Sequence, residues 1–482
     1  MKIKLLISAL LIITLGFTTK AQYTKLLDFN NSVNGSNPNG SLISDGTYLY
    51  GMTFSGGTSA GTGGCVGGSC GTVFKIKPDG TGYTDLLNFN GTNGSNPNGS
   101  LISDGTFLYG MTSFGGTGNC PYGCGTIFKI KTDGTGYFKL YDFSHAHGIM
   151  PYGSLITDGT YLYGMTAGGG GIDSVGTIFK IKTDGTGFVN LMNFNSVNGG
   201  GAFGSLISDG TYLYGMTSTA DTITSAGAIF KIKTDGTAYT NLMNFNGVNG
   251  SEPYGSLISD GTYLYGMTSA GGIYSNGNIF KIKTDGTGYY NLLDFDPIPN
   301  GATPHGDLVS DGTYLYGMTS VNGAIGGGTI FKIMHDGTGL FADLYDFDNA
   351  GTNGGSPFGS LIFVGSCLYG MTNDAGTYGY GTLFRYCLAT GITENNPETN
   401  FTIYPNPTNG VFNLKMNELQ NPEIKELKVL NVLSECVYHL TNEQMSTSST
   451  MQIDLSSEPN GIYFISLQTE KGAAIKKIII QK

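Results

Sequence analysis

The chain has 482 residues, among them 79 Gly, 15 Pro, 27 Phe and 30 Tyr, with no Trp and a formal net charge of −11. Gly and Pro together stay below the roughly 25–30% that marks low-complexity disorder, and the lack of a Gly-X-Y period excludes collagen. Arg385 is the sole arginine, which argues against nucleic-acid or anionic-membrane partners and against enzymes that grip phosphate or carboxylate through Arg clusters.

At the N-terminus, Lys2 and Lys4 precede an apolar run from Leu5 to Phe17, and Thr19-Lys20-Ala21 stands before Gln22. A basic start, an apolar stretch too short to span a bilayer and small residues at its end predict a signal peptide over residues 1–21, cut after Ala21. No Cys follows the cut, so a lipoprotein anchor is not expected.

From there to residue 391 one phrase is written seven times. Gly-Ser-Leu-Ile-Ser-Asp-Gly-Thr-Tyr-Leu-Tyr-Gly-Met-Thr recurs with small changes, its Met at Met52, Met111, Met165, Met216, Met267, Met318 and Met371. After each comes Gly-Thr-Ile-Phe-Lys-Ile-Lys-Thr-Asp-Gly-Thr-Gly or a close variant, then an apolar run such as Tyr239-Thr240-Asn241-Leu242-Met243-Asn244-Phe245. Each unit offers four short strands, here termed A to D: Gly-Ser-Leu-Ile-Ser, Tyr-Leu-Tyr-Gly-Met-Thr, Thr-Ile-Phe-Lys-Ile-Lys and Tyr-x-x-Leu-x-x-Phe. Four strands in units of 51 to 59 residues suit a β-propeller blade. The seventh unit stops after strand C, while Tyr23-Thr24-Lys25-Leu26-Leu27-Asp28-Phe29-Asn30 is a strand D without its unit. The expected fold is therefore all-β, a seven-bladed β-propeller over residues 22–391 whose N-terminal strand closes the last blade and removes the open edges. The missing Trp excludes ordinary WD40 and kelch signatures. Over about residues 23–390 the repeats resemble the GloVer-type tandem repeats of bacterial surface proteins. That resemblance implies surface export and supplies no activity.

The A–B turn reads Ser-Asp-Gly-Thr and the C–D turn Thr-Asp-Gly-Thr, where Gly accepts positive φ and Asp bonds nearby amides. A structural turn is preferred to a calcium loop, which needs several oxygen ligands close together. The opposite face carries the B–C and D–A loops, where the repeats differ most, and loops on a rigid scaffold are where recognition usually sits. In the D–A loops the residue before the Gly that opens strand A is Asn39, Asn98, Tyr152, Phe203, Tyr254, His305 and Phe358. These seven are expected to ring the mouth of a central channel, where rings stack on sugar faces and amides, with nearby Asn198, Asn249 and Asn353, bond hydroxyls. The competing reading packs the rings between blades beneath the loops. The repeated Tyr and Met of strand B are expected in the core. His145-Ala146-His147 has too few partners for a metal site, and Asp294/Asp296 and Asp346/Asp348 read as a solvated strand face rather than acid/base pairs. No nucleophile–base arrangement emerges, so no catalytic residue, metal or cofactor is assigned.

Six of the seven cysteines pair locally in an exported chain: Cys65 with Cys70, Cys120 with Cys124, and Cys367 with Cys387, leaving Cys436.

Composition shifts near Gly391. Nine of the ten Glu follow it, but only three Gly do, which sets off residues 392–400 as a linker and 401–482 as a second domain. Period-2 runs between Tyr404-Pro405-Asn406-Pro407-Thr408-Asn409-Gly410 and Pro459-Asn460-Gly461 read as a small β-sandwich. These motifs resemble the type A C-terminal sorting domain of the bacterial type IX secretion system, with Tyr404, Pro405, Asn406, Pro407, Gly410 and Gly461 as its motif residues. The resemblance implies an immunoglobulin-like sandwich that engages the outer-membrane secretion machinery and delivers its cargo to the surface or medium of a Gram-negative bacterium. The chain is thus expected to be an exported, monomeric binding or adhesion module with a glycan as the leading ligand. A purely structural repeat protein is one alternative. The other is a glycan-cleaving enzyme, which would need acidic pairs converging on the channel mouth.

Overall fold

Each repeat is built on the same turn chemistry. After a first strand β1 (Gln22–Asp28), the first repeat supplies β2 (Ile43–Ser44), β3 (Leu49–Thr53), β4 (Thr72–Ile76) and β5 (Thr84–Asn88), an antiparallel sheet in that order. Asp45 closes the β2–β3 turn: Oδ1 accepts the N–H groups of Thr47 and Tyr48 at 2.8 and 2.7 Å, and Oδ2 accepts the Tyr50 hydroxyl at 2.8 Å. Partial burial works against the charge, but those three donors hold the carboxyl below its ordinary range. At the β4–β5 turn, Asp79 Oδ1 accepts from both N–H and Oγ1 of Thr81.

The structure, a computed structural model, describes residues 22–58, 65, 68–195, 197–219, 226–338, 341–388, 401–416, 424–431, 436–441, 450–469 and 472–482. The expected leader 1–21 with its cut at Ala21, and the expected linker 392–400, lie outside the described residues. The protein is all-β and divides into two compact units between Leu388 and Ala389.

The repeat unit holds seven four-stranded antiparallel sheets among the described residues. Six take their strands in chain order. The seventh joins Ile362–Val364, Cys367–Thr372 and Thr382–Cys387 to β1, with Gln22 opposite Cys387 and Asp28 opposite Thr382.

Strand A differs from expectation. Only its last two residues pair within the sheet in the first six repeats, for example Ile43 with Tyr50 and Ser44 with Leu49. The reason is competition for its backbone. The N–H of the Gly-Ser serine bonds to the neighbouring repeat, as from Ser41 to Ser100 Oγ, and is lost to the sheet ladder.

Packing lies between successive sheets. Tyr50 and Met52 of one repeat share a core with Leu101, Leu108, Phe128 and Ile130 of the next. Tyr369, Met371 and Leu383 of the last sheet share one with Leu42, Leu49, Phe74 and Ile76 of the first. The Phe ending each strand D lies edge-on to, or tilted against, the strand C Phe of the following repeat at 5.2–5.6 Å, from Phe89–Phe128 round to Phe29–Phe74. Lysines tie the same joints: Lys75, Lys129, Lys180 and Lys231 Nζ donate to Thr132, Thr183, Thr234 and Thr284 carbonyls at 3.0–3.1 Å.

The C-terminal unit is a sandwich. Phe401–Tyr404, Val411–Met416 and Thr450–Asp454 form one sheet, and Cys436–Thr441, Ile424–Asn431, Gly461–Thr469 and Gly472–Ile480 the other. Phe412, Leu414 and Ile453 of the first face Leu427, Val429, Ile465 and Ile478 of the second in one core. Strand alternation places those residues on one side of each sheet.

Candidate functional site

Glycine lets seven chain segments meet. A Cβ at Gly40 would lie 2.2 Å from the Gly99 carbonyl oxygen, and the same approach links Gly99 to Gly153, Gly153 to Gly204, Gly204 to Gly255, Gly255 to Gly306, Gly306 to Gly359, and Gly359 to Gly40 at 2.2–2.4 Å. No residue with a Cβ fits at such a distance. The next N–H groups bond in the same direction. Ser41 donates to Ser100 Oγ and Ser100 to Ser154 Oγ, both at 2.7 Å, and Ser154 to Ser205 Oγ and Ser205 to Ser256 Oγ, both at 2.8 Å. Ser256 then donates to Asp307 Oδ1 at 2.5 Å, Asp307 to Ser360 Oγ and Ser360 to Ser41 Oγ, both at 2.7 Å. The series returns to the residue on which it began.

In each of the seven segments the Gly, the residue before it and the Ser or Asp after it line a cavity of about 260 Å³. All seven residues singled out in the D–A loops line it, and all are half-buried. Five form a continuous aromatic belt. Tyr152 stacks on Phe203 at 5.3 Å, Phe203 meets Tyr254 edge-on at 5.2 Å, Tyr254 stacks on His305 at 5.2 Å, and His305 meets Phe358 edge-on at 4.8 Å. Where the rings stop, amides take over: Asn39 Nδ2 donates to Asn98 Oδ1 at 2.6 Å, and Asn373 Nδ2 to Asn39 Oδ1 at 2.5 Å. The rings therefore both line the cavity and brace one another.

Burial sets the electrostatics. It pushes His305 down to about 4, so the imidazole is neutral at pH 7, and its Nδ1 is buried with no hydrogen-bond partner. Burial raises the Tyr254 hydroxyl, as does Glu252, whose Oε2 accepts it at 3.1 Å. Asp307 is driven up by burial, against the opposing pull of the Ser256 N–H and the Ser256 and Ser360 hydroxyls. Among the residues lining the cavity Asp307 is the one acid, and none is Lys or Arg. Sequence reasoning passed over Asp307 and the six serines. The signal was present, since Gly306-Asp307 stands where the other six repeats read Gly-Ser.

Other singled-out residues lie elsewhere. Asn198 and Asn249 Oδ1 accept the N–H groups of Asn195 and Asn246 at 2.7 and 2.8 Å, and Asn353 Nδ2 donates to the Tyr345 hydroxyl at 3.1 Å. They brace their own loops and do not line the cavity. Asp294 and Asp346 hold B–C loops by accepting from Ile273 and Ala324 N–H at 3.2 and 2.6 Å. Asp296 and Asp348 accept from Ile298 and Ala350 N–H. His147 Nδ1 lies 2.6 Å from the Tyr141 hydroxyl, and among the described residues no three metal-ligating side chains cluster. Cys65 bonds to Cys70, Cys120 to Cys124 and Cys367 to Cys387, and Cys436 is free and exposed.

In the C-terminal unit, Asn406 docks onto the last strand: its Nδ2 donates to the Lys477 carbonyl and its Oδ1 accepts the Ile479 N–H, both at 2.9 Å. Tyr404 is exposed, and Pro405 and Pro407 flank Asn406. Gly410 has φ +115°, and a Cβ there would lie 2.7 Å from Ser456 Cα. At Gly461 a Cβ would meet nothing closer than the Tyr463 ring at 3.9 Å.

No curated protein matches the chain in sequence. Among solved structures it is similar to PorZ, a surface component of the type IX secretion system of Porphyromonas gingivalis, at 12% identity and TM-score 0.46, over 95% of this chain and 61% of that one. It is also similar to the extracellular domain of the one-component system BT4673 from B. thetaiotaomicron, at 10% identity and TM-score 0.47, over 96% and 58%. A third is the GH74 enzyme of Niastella koreensis, at 14% identity and TM-score 0.48, over 94% and 74%. The chain thus spans under two thirds of the length of the first two. Residues 402–481 match the secretion system C-terminal sorting domain. A type IX sorting tail of this kind indicates export to the cell surface or extracellular space. No helix among the described residues is long and apolar enough to cross a membrane. The Gloeobacter/Verrucomicrobia repeat matches residues 62–277 and 222–410, most of the chain, which belongs to that repeat family.

Proposed function

We propose that the repeat unit is a seven-bladed β-propeller closed by β1, and that it is the binding or adhesion module of an exported protein, with a glycan as its leading ligand class. On this reading residues 1–21 are a leader removed after Ala21, 22–391 the propeller, 392–400 a linker and 401–482 the sorting domain, and the propeller works as a monomer. The returning series of Ser and Asp hydrogen bonds and the core shared by the last and first sheets support closure. The observation that carries the binding role is the cavity bordered by five contiguous rings and two amides. Rings of this kind stack on sugar faces, and a concave site with few polar groups is the usual form of a small-ligand site. Hydrolysis of a glycoside uses two carboxyl groups flanking the bond. One carboxylate on the cavity wall favours binding over cleavage.

The test is a glycan-array screen of the folded chain, followed by titration of the strongest hit. Phe203→Ala and Tyr254→Ala are expected to weaken it at least about tenfold, or roughly 1.4 kcal/mol. A folded protein that binds no glycan removes the ligand class, and a hit indifferent to both variants removes the site.

A further inference from the structure

At the serine position of the cavity wall the sevenfold repetition is broken once, and the break introduces an acid. Six segments present a serine hydroxyl there, and the sixth repeat presents the Asp307 carboxylate. Asp307 is half-buried and lines the cavity, in reach of a ligand there. It receives hydrogen bonds from the Ser256 N–H and from the Ser256 and Ser360 hydroxyls, all neutral donors. No lysine or arginine lines the cavity. His305, two residues away, is neutral at pH 7 and its Nδ1 lies buried without a partner. A second acid, Glu252, accepts the Tyr254 hydroxyl.

A buried carboxylate without a countercharge is costly to keep ionised, and a cation that reaches it recovers that cost. The aromatic belt works in the same direction, since ring faces attract ammonium groups. Asp307 for the acid and the belt of Tyr152, Phe203, Tyr254 and Phe358 for an apolar body together describe a receptor for a protonated amine. We propose that the cavity binds a ligand bearing a primary ammonium group seated against the Asp307 carboxylate, and that this ligand is an amino sugar with a free amine. The amino-sugar identity rests on the glycan reading above, whereas the ammonium site rests on Asp307 and its surroundings.

The experiment titrates the full chain at pH 7 with glucosamine, N-acetylglucosamine, glucose and 1,5-diaminopentane, following binding by calorimetry and saturation-transfer NMR. Asp307→Ser is the matched variant. Serine occupies this place in the other six repeats, where its Oγ accepts the same N–H, as Ser256 accepts from Ser205, so the ring of bonds is kept. Glucosamine is expected to bind at least tenfold more tightly than glucose or N-acetylglucosamine, and Asp307→Ser to abolish that preference without lowering the unfolding temperature. If diaminopentane binds through Asp307 and no sugar does, the ammonium site stands and the glycan reading falls. If glucose and glucosamine bind alike and Asp307→Ser changes neither, the glycan reading stands and the ammonium site falls. A chain that binds none of the four overturns the amine proposal.

Discussion

On strand D, residues three apart carry complementary side chains in five of the seven sheets. Lys25 pairs with Asp28 at 2.7 Å, Lys139 with Asp142 at 2.9 Å, Asn190 with Asn193 at 3.1 Å, Asn241 with Asn244 at 2.6 Å and Asn291 with Asp294 at 2.8 Å. A bulge in the strand puts both members on one face; in the sixth sheet it falls between Asp343 and Tyr345. There the pair is Asp343 and Asp346, two acids. Burial, the charge of Asp346 and a hydrogen bond to it push Asp343 up to about 7. Two tyrosines lie near it: Tyr386, whose hydroxyl donates to the Leu344 carbonyl, and Tyr345, whose N–H donates to Asp343 Oδ1 at 3.2 Å. In the unfolded chain an aspartate titrates near about 4. Between those values the folded protein binds more protons than the unfolded one, so this site's stabilising contribution is complete below about pH 4 and is lost as pH rises to about 7. Asp343→Asn supplies Asp346 with the amide that Asn291 gives Asp294 and removes the titration. The variant is expected to unfold at higher temperature than the parent at about pH 8, with a smaller difference at about pH 5. An equal shift at both values, read by thermal melts, would count against the raised titration of Asp343.

Strands B and C are stitched by one buried side-chain pair per sheet, and one sheet lacks it. Thr53 and Thr72, Thr112 and Thr126, Thr166 and Thr177, Thr319 and Thr329, and Thr372 and Thr382 join hydroxyls at 2.9–3.0 Å, and Thr268 donates to Asn278 Oδ1 at 2.7 Å. Opposite Thr217 the sequence places Ala228, and Thr217 Oγ1 is buried without a partner. Ala228→Thr is expected to restore the bond and stabilise the protein by about 1 kcal/mol, seen as a higher denaturant midpoint. An unchanged or lower midpoint would mean that the site is overpacked. The elements themselves were readable because their signals are local: Asp-Gly turns, period-2 runs and a repeated register. Strand A was the exception. Its Gly-Ser segment carries a strand-like pattern, but the backbone bonds that decide its fate go to a neighbouring repeat, which no window of sequence within one repeat reveals. The same holds for the site. The seven D–A residues were identifiable by position, because each precedes the same Gly. That Tyr152, Phe203, Tyr254, His305 and Phe358 brace one another depends on how closely the glycines let the segments approach, a property of all seven together.

Across the whole repeat unit, stability belongs to joints, since each core is shared by two sheets. An array of this kind is as strong as its weakest joint, and the core shared by the last and first sheets draws Leu26, Leu27 and Phe29 from the β1 segment. Tyr23 stacks on Tyr345 at 4.1 Å and on Phe384 at 5.3 Å, and its hydroxyl donates to the Asn353 carbonyl. Leu26 and Leu27 pack on the core shared by the last and first sheets. Deleting residues 22–30 exposes the edge of Thr382–Cys387 and removes four apolar anchors, Tyr23, Leu26, Leu27 and the fully buried Phe29, each worth about 1.5–3 kcal/mol, so a loss of at least roughly 6 kcal/mol and a tendency to associate through the bare edge are expected. Truncation alone would not separate closure from an ordinary loss of core, and a permutant does. Gln22 lies opposite Cys387, so residues 22–30 can be moved to follow residue 387 through the Thr-Asp-Gly-Thr-Gly turn that already joins strands C and D elsewhere, as at Thr183-Asp184-Gly185-Thr186-Gly187. If β1 acts as the missing strand D of the seventh sheet, the permutant places it in its own hairpin and should recover the parent's unfolding temperature and monomeric elution. A permutant no more stable than the truncation would show that β1 is needed where the chain begins, and the closed-ring reading would fail.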